Sequence, residues 1–176
     1  PSFDRNRLCM SFTPLSAASS IDYKKAMRHL AGTPCVITAS HQGQRSGLTA
    51  TSVTSVAIEP AELLVCINQS TSAWPLIEKS GYFGVNVLSY DQVAVAERFA
   101  GIGGFKGAER YEGADWVEHN GVWLLAHAPA ALVCKVAEII VRHSHAMVLG
   151  TVEHVQLHKT TDPALLYWQG QFLAVS

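Results

Sequence analysis

Charge is scarce in this chain. Only 15% of its 176 residues are Asp, Glu, Lys or Arg, and the 13 basic and 14 acidic side chains sum to a formal charge of −1. With no long run of either sign, the electrostatic footprint of a nucleic-acid binder or a polybasic membrane anchor is missing. A small-molecule ligand is the better expectation. The four cysteines, Cys9, Cys35, Cys66 and Cys134, are far apart and form no CxxC pair; three sit in apolar strand-like runs, where a thiol acts as a small hydrophobe. They read as reduced and structural. No apolar run approaches the roughly 18 residues of a membrane span, and no signal-peptide pattern opens the chain. The expectation is a soluble, cytoplasmic protein. Low charge beside 48% hydrophobic content suggests surface hidden in an oligomer, with a homodimer as the default.

Motifs are equally sparse. There is no GxxxxGKS or GxxxxGKT loop, no GxSxG elbow, no HExxH and no carboxylate pair that stands out, which removes P-loop, serine-hydrolase and glycosidase chemistry. Gly101-Ile102-Gly103-Gly104-Phe105-Lys106-Gly107 lacks GxGxxG spacing and follows a helical pattern rather than a strand, so it supports only a flexible loop near a ligand. His143-Ser144-His145 would put two imidazoles on one face of a strand, but no further ligands complete a metal site. No metal is expected. One functional histidine at a strand start is the reading kept, against an ordinary surface imidazole.

What is present is a succession of short β-like runs. Residues 1–19 form an aperiodic N-terminal arm, and residues 20–176 make one domain. An amphipathic helix is predicted from Ser20, its N-cap, to a stop at Gly32. Strands follow at Cys35–Ser40, Arg45–Val56, Leu63–Asn68, Tyr82–Leu88, Gly121–Leu125, Ala131–His143, His145–Leu157, Leu165–Trp168 and Phe172–Val175, with helices at Ala73–Lys79 and at Asp91–Phe99, capped by Asp91. This spacing favours an antiparallel β-barrel with flanking short helices.

Two uncharged, hydroxyl-rich segments stand out. GLTATSVTSV carries Thr49, Thr51, Ser52, Thr54 and Ser55, and Asn68-Gln69-Ser70-Thr71-Ser72 leads into the helix that begins Ala73-Trp74-Pro75. Neutral hydroxyls and free N–H groups suit the carbonyls, ring nitrogens and ribityl chain of a flavin, and a helix start favours its phosphate without need of a lysine. The competing reading is that the hydroxyls decorate the wet face of a strand and that Ser72 is an ordinary N-cap.

In order along the chain, GLTATSVTSV, the Glu59-Pro60 break, LLVCINQSTSAWP, YFGVNVLS, ERFAG, HSHAMVLGTVEHV and LLYWQGQFLAV resemble the short-chain flavin reductase family. The similarity is greatest to reductase components of two-component, flavin-dependent aromatic monooxygenases. It covers about residues 20–175. The resemblance implies an FMN-binding split barrel, that is, a mainly β, antiparallel Greek-key barrel with short flanking helices, and a homodimer with flavin near the subunit interface. It also implies FMN or FAD as the flavin and NADH or NADPH as the hydride donor.

By the same resemblance, Thr49, Ala50, Thr51, Ser52, Ser55 and Val56 line the flavin ring and ribityl group. Cys66, Ile67 and Asn68 follow the ribityl chain, and Ser70, Ser72 and Trp74 meet the phosphate. Phe99 and the catalytic candidate His145 face the nicotinamide, and Tyr167 lies in the family's terminal YxxG pattern. Backbone N–H groups around residues 52–56 polarise the flavin. Family members often carry glycine where this chain has His143. The implied reaction is hydride transfer from C4 of NAD(P)H to N5 of the flavin, after which the reduced flavin serves a separate monooxygenase that it reaches by diffusion. Two alternatives stay open: a flavin-binding split barrel that is not a reductase, and a non-enzymatic β-barrel ligand carrier.

Overall fold

A computed structural model describes residue 15 and residues 17–176. Of the arm expected over residues 1–19, residues 1–14 and 16, with Cys9, lie outside the described residues. Helix α1 (Ser20–Met27) is capped by Ser19, one residue before the cap expected, with the Ser19 hydroxyl accepting from the Asp22 N–H at 3.1 Å. None of its residues is buried.

The first four strands are β1 (Cys35–His41), β2 (Gln44–Ala50), β3 (Val53–Ile58) and β4 (Ala61–Asn68). Helix α2 (Trp74–Ser80), strand β5 (Tyr82–Val87) and helix α3 (Val93–Phe99) follow, then β6 (Trp116–His119), β7 (Val122–Leu125), β8 (Ala130–Arg142), β9 (His145–Leu157), β10 (Ala164–Trp168) and β11 (Gln171–Val175). The run read as one strand over Arg45–Val56 is two strands that separate at Thr51-Ser52, because β2 pairs with β1 while β3 pairs with β4. The cap expected at Asp91 is not formed: a 3-10 turn over Tyr90–Gln92 leads directly into α3, whose N-cap Gln92 makes no side-chain cap bond, and the turn itself is capped by Ser89, whose N–H donates to the Gln92 Oε1 at 3.2 Å and whose hydroxyl donates to Asp91 at 2.5 Å. Strand β6 was hidden in sequence by its exposed polar positions Glu118 and His119.

Seven strands form one antiparallel sheet in the order β2-β1-β5-β8-β9-β4-β3. The β1–β5 and β4–β9 neighbours are distant in sequence and supply the crossovers of a Greek-key barrel. Strand β4 shows the alternation that sheet geometry demands: Leu63, Val65 and Ile67 are buried while Leu64, Cys66 and Asn68 are half-buried on the other face. Strand β1 is buried on both faces because two cores meet across it. Inside the barrel, Ile37, Val65, Ile67, Phe83, Val85 and Val148 pack with Trp74, Leu76 and Ile77 of α2. Outside it, Val36, Phe99, Tyr111, Leu125, Val133 and Leu165 pack together. Each such side chain contributes about 1.5–3 kcal/mol on leaving water. Among the described residues no helix is long and apolar enough to cross a membrane.

The β8–β9 hairpin closes through His143-Ser144, with Arg142 opposite His145. His143 there has φ +53°, the left-handed conformation that glycine adopts without penalty. Replacing His143 by Gly is expected to leave unfolding free energy unchanged or raised by about 0.5 kcal/mol, the relief being partly offset by a freer unfolded chain, whereas His143→Val should lower it by about 1–2 kcal/mol. Urea melts check both. A Val variant as stable as the parent would contradict the left-handed turn.

Candidate functional site

A cavity of about 660 Å³ opens where β2 gives way to β3. Thr49, Ala50, Thr51 and Ser52 form one wall, Cys66, Asn68 and residues 70–72 a second, and Phe99, Ala100, Lys106, Gly107 and Arg110 a third, with His145 at the rim. Most of its hydroxyls are already engaged by the protein. Thr49 Oγ1 donates to the Ala96 carbonyl at 2.6 Å, holding β2 to α3, and Ser52 Oγ donates to the Cys66 carbonyl at 2.9 Å, holding the seam to β4. The Cys66 N–H completes that clasp on the Ser52 carbonyl at 3.2 Å. Backbone N–H groups are what remain: among the described residues, those of Thr51 and Ser52 have no protein acceptor.

The 68–72 loop is built from its own polar groups. Asn68 Oδ1 accepts from the Ser70 N–H at 3.0 Å and the Ser70 hydroxyl at 2.9 Å, and Thr71 Oγ1 donates to the Asn68 carbonyl at 2.9 Å. A bond from the Gln69 N–H to the Ser144 carbonyl at 2.9 Å joins this loop to the His145 turn. Ser72 does not cap α2. The N-cap is Ala73 with no side-chain bond, and Ser72 Oγ lies 2.7 Å from Ser46 Oγ. The N–H groups of Ser72 and Ala73 have no acceptor among the described residues.

Beside the helix start read as able to hold a phosphate without a lysine, the cavity also brings two cations, because Lys106 and Arg110 line it. Arg110 Nη1 donates to the carbonyls of Gly47 at 2.6 Å and Phe99 at 2.8 Å, and its Nε donates to that of Phe105 at 3.1 Å. One guanidinium therefore joins β2, α3 and the glycine-rich loop. Burial lowers the Arg110 pKa, with the neighbouring Tyr111 acting in the opposite direction; an arginine stays a cation at neutral pH even so. The signal was legible as Lys106 within the glycine run and Arg110 four residues on, but nothing local placed that loop beside the hydroxyl clusters. Among the described residues no carboxylate lines the cavity. Free N–H groups, two cations and no competing anion fit a phosphate-bearing polar heterocycle such as a flavin.

The cavity brings together ten of the expected site residues: Thr49, Ala50, Thr51, Ser52, Cys66, Asn68, Ser70, Ser72, Phe99 and His145. The others lie elsewhere. Ile67 is 0% exposed and points into the barrel core, as the alternation of β4 requires, so its side chain lines no ligand. Trp74, the first residue of α2, is buried in the same core, and Ser55 and Val56 are both exposed on β3 beyond the seam, where the β3–β4 register shifts. Phe99 borders the cavity, but its ring is 1% exposed and packed edge-on to Tyr111 at 5.1 Å, so it forms floor rather than a free stacking face. Bare Gly47 permits this: a Cβ there would meet Phe99 Cε1 and the Ile37 carbonyl oxygen, each at 2.5 Å. Tyr167 borders an adjoining cavity of about 380 Å³ that shares Thr49, Thr51 and Ala100 with the first. His145 is exposed opposite Asn68, its Nδ1 2.9 Å from the Ser144 hydroxyl.

Comparison with known proteins points the same way. A family model described as the flavin reductase like domain matches residues 27–176. The chain is 37% identical over 158 residues to the reductase component of an FADH(2)-dependent resorcinol hydroxylase from Rhizobium sp. (strain MTP-10005), covering 88% of this chain and 87% of that protein. It is 36% identical over 138 residues to the FMN reductase (NADH) RutF 2 of Methylorubrum extorquens (strain PA1), covering 78% and 79%. Among solved structures, a flavin reductase domain protein from Arthrobacter sp. FB24 superposes with a TM-score of 0.81 at 27% identity, covering 90% of this chain and 96% of that one.

Cys66 supplies a test of the cavity. It is half-buried in the cavity wall, whereas Cys35 and Cys134 are buried and desolvation pushes their thiols up to about 12. Iodoacetamide at pH 8 followed by peptide mapping should therefore modify Cys66 and spare Cys35 and Cys134, and saturating FMN should slow modification of Cys66 at least tenfold. Labelling indifferent to FMN would remove the ligand from this cavity.

Proposed function

The chain belongs to the flavin reductase like family, and from that premise we propose that it is an NAD(P)H:flavin oxidoreductase whose reduced flavin is used by a separate monooxygenase. The observation that carries this reading is the cavity at the Thr51-Ser52 seam, where unengaged backbone N–H groups and the cations Lys106 and Arg110 converge without a carboxylate. FMN or FAD and NADH or NADPH bring the hydride chemistry with them when bound; the chain's residues bind, orient and polarise.

Each wall has a task. The N–H groups of Thr51 and Ser52 stabilise negative charge that builds on the pyrimidine side of a reduced flavin, which lowers the barrier by preorganised dipoles. The N–H group of Ser72, with Lys106, holds the phosphate. Arg110 is committed to three carbonyls, so it shapes the floor and adds its charge to the field. His145 acts at the rim, where its imidazole would orient the nicotinamide so that its C4 faces N5 of the flavin. No protein nucleophile takes part.

The working unit is a homodimer in this reading. Helix α1 buries nothing within the single chain and exposes Ile21, Tyr23 and Met27, and the far ends of β8 and β9 expose Val141, Val155 and Leu157. Such apolar area is covered in a partner far more readily than left in water. The supply of NAD(P)H places the reaction in the cytoplasm, and the flavin reaches its monooxygenase by diffusion.

Anaerobic mixing with NAD(P)H and free FMN or FAD tests the proposal. Flavin bleaching at a rate far above the protein-free control is expected, and its absence with both flavins would sink the reductase reading. His145→Ala should then raise KM for NAD(P)H or slow hydride transfer by about ten- to a hundredfold, equivalent to about 1.4–2.7 kcal/mol, at nearly constant flavin affinity. His143→Ala should change much less.

A further inference from the structure

The cavity at the seam does not end at Ser72. Ser72 and Gly107 also border a second cavity of about 440 Å³, which passes Gln44 and Arg45 into a third of about 640 Å³. The three form one groove, running from the seam past the start of α2 to the space between the β1–β2 turn and the β6–β7 hairpin.

The groove's chemistry changes along its length. Its middle is bordered by Arg45 and by Lys79 at the C-terminal end of α2. Arg45 is held in an unusual way: its guanidinium carbon lies 4.7 Å from the centre of the Tyr111 ring and 4.5 Å from that of Trp123. Two aromatic faces thus fix a cation whose side chain makes no ion pair and no hydrogen bond among the described residues. Its N–H donors are left for something else. Lys79 likewise has no ion-pair partner among the described residues. At the far end the walls are the rings of Tyr82 and Trp123 with the carboxylate of Glu118, a setting for a flat, weakly polar base and for hydroxyl or amino donors.

A ligand that satisfies the whole groove presents a phosphate at Ser72, further negative charge at Arg45 and Lys79, and a sugar and flat base beyond. FMN ends at the first of these. We propose that the groove from Ser72 to Trp123 takes the adenylate half of FAD, with Arg45 and Lys79 facing its second phosphate, and that this chain therefore selects FAD over FMN. The inference rests on the flavin reading of the seam cavity. It does not assign the groove to the adenylate of NAD(P)H, since the groove departs from the loop that meets the flavin's own phosphate.

Fluorescence titrations of FMN and FAD, with steady-state KM for NADH, test this on the parent protein, Arg45→Gln and Lys79→Glu. The parent should bind FAD at least tenfold more tightly than FMN. Both variants should lower that ratio at least fivefold, with the Kd for FMN unchanged and KM for NADH unchanged. Lys79 is exposed and takes no part in the aromatic stack, so its variant reports on charge where Arg45→Gln also loosens packing, and a constant FMN Kd certifies the fold in each. Equal affinity of the parent for the two flavins, or an unaltered ratio in both variants, would overturn the proposal while the flavin reading stands. A rise in KM for NADH with FAD affinity unchanged would give the groove to the hydride donor and overturn it too. Failure to bind either flavin would remove the underlying reading itself.

Discussion

Everything in this molecule turns on two residues of covalent constraint. Strands β2 and β3 are the opposite edges of one seven-stranded sheet, yet only Thr51 and Ser52 separate them in the chain. A sheet whose two edges are tied by so short a link cannot lie flat, so it rolls until they meet. The meeting is fastened by the Ser52 hydroxyl and carbonyl on Cys66 of β4. Beyond that point β2 and β3 diverge without pairing, which splits the barrel and leaves N–H groups at the seam that no strand can satisfy. Backbone donors freed by topology are a sound basis for a ligand site because they cost no side-chain ordering.

The remaining walls hold the seam in place. Phe99 reaches the floor only because Gly47 presents no Cβ, and Arg110 draws the Gly47, Phe99 and Phe105 carbonyls toward one guanidinium. Tyr111 donates its phenol hydrogen to the Ser46 carbonyl at 2.6 Å from within the aromatic cluster, and burial pushes its pKa up, so that bond persists through the neutral and mildly alkaline range. These three contacts fix β2 against α3 and the glycine-rich loop. The site is thus rigid on its strand side and depends, on its loop side, on the long cationic side chain of Lys106, which no carboxylate restrains among the described residues.

Much of this was legible in the residues. Turn-punctuated runs announced an antiparallel barrel, and the two hydroxyl clusters marked the segments that converge on the cavity. The reason they do so was read less well. The hydroxyls of Thr49, Ser52, Ser70 and Thr71 hold the protein to itself and leave the backbone to face the ligand. Ile67 and Trp74 were assigned to the ligand by the family resemblance, but strand alternation and the packing of α2 turn both side chains into the core. Lys106, Arg110 and Arg45 could not be found from local pattern, because each reaches its place through contacts more than sixty residues away or across a loop whose path only the tertiary fold decides.

The central claim is that the flavin lies along the Thr51-Ser52 seam with its phosphate toward Ser72. A crystal structure of the protein with FMN bound tests it most directly. Flavin density is expected with ring atoms within hydrogen-bond distance of the Thr51 and Ser52 N–H groups and phosphate oxygens at that of Ser72. Flavin bound outside this cavity, or in it with the phosphate at the His145 rim, would overturn this placement.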